Sequence, residues 1–131
     1  MYNPNFPILH WFFTVVGGVM LFFLLGVLMK LNFIIGFDFP AFFLVVFISA
    51  VISTPSILIY TFIYFRLIKK LDNHYKLKLI MISFTILAII ISLVILDISN
   101  SDVYYMAFGF SAAAIVVGVI IPIKVSQTSM E

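Results

Sequence analysis

The 131-residue chain contains no cysteine. Disulfides, thiolate nucleophiles and Cys-based zinc or iron–sulfur sites are therefore excluded. Charge is almost as scarce: 9% of the residues are Asp, Glu, Lys or Arg, against about 25% in a soluble domain. What charge there is avoids four long runs, 8–29, 40–65, 79–96 and 103–121, which hold no acid, lysine or arginine. A charge is expensive in hydrocarbon, so charged groups kept there mark ion and proton pathways. Their absence speaks against a pump built on a membrane carboxylate. Chemical motifs are missing as well. The chain has no Gly-rich phosphate loop, no His-x-x-x-His pair and no Ser-His-Asp or paired-carboxylate pattern. No catalytic, cofactor-binding or metal-binding residue is assigned, no cofactor is expected, and the chain reads as a non-enzyme. The weakest functional reading is an interface enzyme using His10, His74 and Asp72.

What is present is apolar. Hydrophobic residues make up 65% of the chain, and mean hydropathy is +1.31. A soluble protein of this size has too much surface for its volume to hide so much apolar area. The run 8–29 would be about 33 Å long as a helix, enough to cross the hydrocarbon core. It lacks a basic lead and a small-residue cleavage pattern, so it reads as a retained helix. The expected fold is all-α: an integral membrane protein forming one domain over 1–131. In it, four transmembrane helices (about 8–29, 40–65, 79–96 and 103–121) pack as an antiparallel bundle.

The stretch 66–78 carries five of the seven basic residues: Arg66, Lys69, Lys70, Lys76 and Lys78. Cytoplasmic loops are enriched in Lys and Arg, so these five act as topology determinants and mark a cytoplasmic loop. Both termini are then cytoplasmic, with Lys124 on the same side and only Lys30 on the other. The expected location is a cell membrane, specifically a bacterial cytoplasmic membrane. The net charge of +2 comes almost entirely from this one stretch. It is a topology signal and no nucleic-acid footprint; anionic lipid head groups are the nearer partner.

Local signals refine the helices. Pro40 suits the first turn of the second helix, with Asp38 before it complementing the helix dipole. Pro55, in Ser53-Thr54-Pro55-Ser56, cannot donate to the carbonyl of Val51, which predicts a kink. Ser101 or Asp102 suits the cap of the fourth helix. His10 beside Trp11 reads as an interfacial histidine.

Each helix also carries small or hydroxyl residues at helical spacing, hence on one face. They are His10, Thr14 and Gly17 or Gly18; then Ser49, Ser53, Ser56 and Tyr60; then Thr85, Ala88 and Ser92; then Ala107, Ser111, Ala114 and Gly118, beside Gly109 and Ala113. In a bilayer small residues let helices approach and hydroxyls bond across the seam, so these rows read first as packing seams. The second reading is a polar pathway lined by Ser53, Thr54, Ser56 and Thr85, with Pro55 as its mobile element. The leading function is a small multi-pass membrane protein acting through helix–helix contacts, as an accessory subunit, assembly factor or oligomeric effector. Its partners would be the lipid bilayer and either further copies of itself or another membrane protein. The alternative is a small oligomeric channel or transporter.

Overall fold

The computed structural model describes residues 2–28, 39–71, 73–96 and 101–123. Lys30, Asp38, Asp72, Asp97 and Lys124, which entered the reading above, lie outside the described residues. Four helices form: α1 (Phe6–Leu28), α2 (Phe39–Leu67), α3 (His74–Leu96) and α4 (Ser101–Ile120). Each contains a stretch long and apolar enough to cross a membrane, and the described residues contain no sheet. The protein is a multi-pass, all-α membrane protein.

The helices run past the apolar stretches that reveal them. The largest difference is in α3, which begins at His74 and not at Leu79. The stretch 66–78 is therefore not one loop: Arg66 closes α2, Lys69 and Lys70 lie in the turn, and Lys76 and Lys78 ride on α3. Asn73 is the reason. Its side-chain oxygen accepts from the backbone N–H groups of Tyr75 (3.0 Å) and Lys76 (3.3 Å), a cap that satisfies two otherwise free donors. Ser101 and Asp102 fall inside the first turn of α4. In α2, the helix is assigned continuously through Pro55.

The helices form a ring in which α1 touches α2 and α4, and α3 touches α2 and α4. The α1–α4 contact is by far the largest and the α2–α3 contact the smallest. Glycine explains the first. A Cβ on Gly109 would come within 3.3 Å of the Gly18 carbonyl and the Phe22 amide. A Cβ on Gly18 would fall into the Phe110 ring. Two backbones approach this closely only where side chains are missing.

One end of the ring is closed. Phe6, Tyr64, Leu77, Met81 and Ile123 form a buried cluster there. Tyr64 donates to the Asn3 carbonyl (2.6 Å) and stacks on Phe6. Tyr2 donates to the Leu71 carbonyl (2.9 Å). The Asn3 amide donates to the Ile123 carbonyl (2.8 Å). A second cluster, Val19, Phe22 and Phe23 against Phe42, Val45 and Phe110, joins α1, α2 and α4 without α3. Ile90, Ile91, Val94 and Ile95 of α3 stay exposed.

Candidate functional site

The loose α2–α3 contact leaves a cavity of about 410 Å³. Ser49, Ser53, Ser56 and Tyr60 of α2 face Thr85, Ala88 and Ser92 of α3 across it. Trp11 and Thr14 of α1 and Met106 and Phe110 of α4 complete the wall. Its α2 wall runs from Val45 to Tyr60, about 22 Å of helix. The two hydroxyl rows singled out in the sequence thus lie on facing walls of one space. Pro55 sits on the outer side of the same seam, in a groove of about 440 Å³ that shares Ile52, Ser56, Phe84, Ala88 and Ser92 with the cavity. Thr54 is exposed. Ser111 lies on α4 and lines neither space.

The hydroxyls do little for the cavity's polarity. Ser53 bonds the carbonyls of Ser49 (2.7 Å) and Ala50 (3.2 Å), and Thr54 that of Ala50 (2.9 Å). Thr85 bonds Met81 (3.0 Å) and Ser92 bonds Ala88 (2.8 Å). Ser53, Thr54, Thr85 and Ser92 thus each bond a carbonyl of their own helix, the usual resort of Ser and Thr in a helix interior. Trp11 donates its indole N–H to Ser53 Oγ (2.9 Å), tying α1 to α2. The space left is lined almost wholly by apolar atoms.

His10, read from the sequence as interfacial, is fully buried among the helices. Nε2 lies 2.9 Å from the Ala114 carbonyl of α4, and Nδ1 lies 2.5 Å from Tyr60 Oη of α2. A carbonyl only accepts, so Nε2 carries the hydrogen and a neutral ring takes the Tyr60 hydrogen on Nδ1. One imidazole therefore joins three helices, with Phe6 stacked beside it. The Tyr60 ring lies at the cavity wall, so this linkage backs directly onto the cavity. No local signal marks His10 as buried; its hydrogen-bond partners, Tyr60 and Ala114, are 50 and 104 residues away in the chain. His74 stands elsewhere, against the Tyr75 ring. Among the described residues no three His, Asp or Glu side chains are grouped to hold a metal.

Thr14 is 4% exposed, and its hydroxyl has no hydrogen-bond partner among the described residues. Burying a hydroxyl without a partner costs free energy, and an apolar group of the same shape avoids that cost. Thr14→Val should raise stability by about 1 kcal/mol, read as a later midpoint when purified protein in mixed micelles is titrated with a denaturing detergent. A fall in the midpoint would mean that the hydroxyl is bonded in the membrane.

Comparison with protein-family models, with curated proteins and with solved structures found no match.

Proposed function

We propose that the chain works by contact inside the bilayer, as a small accessory subunit, assembly factor or oligomeric effector. The observation that carries this reading is the state of α2. Of its 29 residues only Tyr60 and Tyr64 are buried. Phe43, Phe47, Val51, Leu58 and Phe65 are all exposed and recur at spacings of four and seven, which places them on one face. A helix this loosely held by its own bundle has a face to offer another helix, and association in lipid is driven by such packing.

The same proposal includes the finer architecture. The helices run antiparallel; the contacts of Asn3 with Ile123 and with Tyr64, which bring the start of α1 to the ends of α4 and α2, support this. Both termini are cytoplasmic, supported by the basic residues gathered at that end, in a bacterial cytoplasmic membrane. Pro55 bends α2.

The absence of native cysteine makes the test direct. Single cysteines at Phe47 and Leu58 should cross-link, in native membranes, to a second copy or to one stoichiometric membrane protein. Intact-mass measurement of the gently extracted complex should show the same partner. A lone monomer without cross-links sinks the reading. The alternative, an oligomeric channel or transporter, draws on the cavity walls of Ser49, Ser53, Ser56, Thr85 and Ser92. The bonds of Ser53, Thr85 and Ser92 to carbonyls of their own helices turn their hydrogens away from it, which leaves a hydrated ion few partners. Flux through protein-loaded liposomes would reverse the ranking.

A further inference from the structure

The outer groove between α2 and α3 has an apolar body and a basic end. Ile52, Pro55 and Ile59 form one wall, and Phe84, Leu87, Ile91 and Ile95 the other. From Phe84 to Ile95 the α3 wall extends about 16 Å, and its near end lies about 12 Å from Lys76, within reach of an acyl chain. The same helix faces continue toward the α2–α3 turn. On α2 the row Ile52, Ile59 reaches Arg66 at the next seven-residue step. On α3 the row runs back from Phe84 through Ile80 to Lys76 in four-residue steps. Residues so spaced share a face, so Arg66 and Lys76 continue the two groove walls, about 10–12 Å beyond Ile59 and Phe84 along the helices. Both are exposed. The Arg66 guanidinium lies over the Phe62 ring, 5.2 Å from its centre. Lys69 and Lys70, also exposed, occupy the turn that joins the two helices.

We propose that this groove is a binding site for one anionic phospholipid. Its phosphate is held between Arg66 and Lys76, with Lys69 and Lys70 adding positive potential, and one acyl chain lies along the α2–α3 groove. Two observations select this occupant. A transmembrane helix, about 10 Å across with its side chains, is too wide to enter between helices that still touch. The charge at the one basic end matches a phosphodiester, which arginine's planar fork contacts with two parallel hydrogen bonds. A zwitterionic lipid offers the same chain, but its own ammonium competes for the phosphate, so the site prefers an anionic head group. Ile52, Ser56, Phe84, Ala88 and Ser92 are shared with the inner cavity, so a chain in the groove borders the space that Trp11 lines.

Trp11 is the only tryptophan, which supplies the probe. The full chain is reconstituted, without other protein, in phosphatidylcholine vesicles containing a few per cent of a lipid with brominated acyl chains, which quench indole fluorescence on contact. Brominated phosphatidylglycerol should half-quench Trp11 at a mole fraction about tenfold lower than brominated phosphatidylcholine. Arg66→Gln combined with Lys76→Gln should abolish that difference; both positions are exposed, so folding is spared. Ala88→Phe, which fills the shared wall, should reduce quenching by both lipids while helix content stays constant. Equal quenching by the two lipids, or a preference that survives the double substitution, overturns the proposal and leaves the groove to bulk bilayer chains. Because no second protein is present, a failure here is separate from a failure to find a partner for α2.

Discussion

His10→Ala should destabilise the protein by about 3 kcal/mol. The substitution removes the shared partner of two buried groups at once. The Tyr60 hydroxyl loses its acceptor and the Ala114 carbonyl its side-chain donor. The Ala114 carbonyl keeps its helix bond, but a donor buried without its acceptor, as the Tyr60 hydroxyl becomes, costs about 1–3 kcal/mol. The Phe6 ring also loses the surface it stacks on. In lipid no water reaches the site to repair the loss. The measurement is the unfolding midpoint of purified protein in mixed micelles titrated with a denaturing detergent. His10→Gln is the informative companion, because its amide supplies one donor and one acceptor and should recover part of the loss. A midpoint for His10→Ala indistinguishable from the parent would mean that the three-helix linkage carries no weight.

Gly18→Leu should be more damaging, by more than about 3 kcal/mol. The Cβ position of Gly18 is already filled by the Phe110 ring, and on the other side Gly109 lies against the Gly18 carbonyl and Phe22 amide. Phe110 can shift only toward the cavity it also lines, which breaks its contacts with the cluster of Val19, Phe22 and Phe23. The other escape is separation of α1 and α4, the helix pair with the most extensive contact. Two helices surrounded by lipid gain nothing from hiding apolar surface, so lost packing is not offset elsewhere. Helix content should persist while the detergent midpoint falls. Gly17→Ala is the control: its added Cβ would meet only the Ala113 Cβ, at an ordinary 3.5 Å, and stability should change little.

The four spans were legible because hydropathy is a one-dimensional property, and charge-free runs of this length have no other stable setting. Boundaries were less so. The apolar run of α3 stops at Leu79, but a helix continues wherever its backbone is satisfied, and Asn73 satisfies it five residues earlier. The small-residue rows of α1 and α4 were visible, and they meet as spacing suggests. The hydroxyl rows of α2 and α3 were equally visible, yet they bound a cavity. Periodicity states which residues share a face; it contains no information on how far away the facing helix stands. The partners of His10 were hidden for a related reason: they are Tyr60 and Ala114, fifty or more residues away in the chain.

That separation has a consequence for how the molecule is made. Of the four described helices, the earliest in the chain packs most extensively on the latest, and the His10 bond to Ala114 spans 104 residues. At about 5–20 residues per second, the ribosome takes on the order of 5–20 s to deliver that partner. Throughout this interval the glycine face of α1 and the imidazole of His10 are in the bilayer without the contacts that define them. Assembly is therefore a ring closure, not a stepwise stacking of neighbours. A chain halted before α4 leaves its first helix complete in secondary structure but without its principal neighbour, the form in which membrane quality control would meet it.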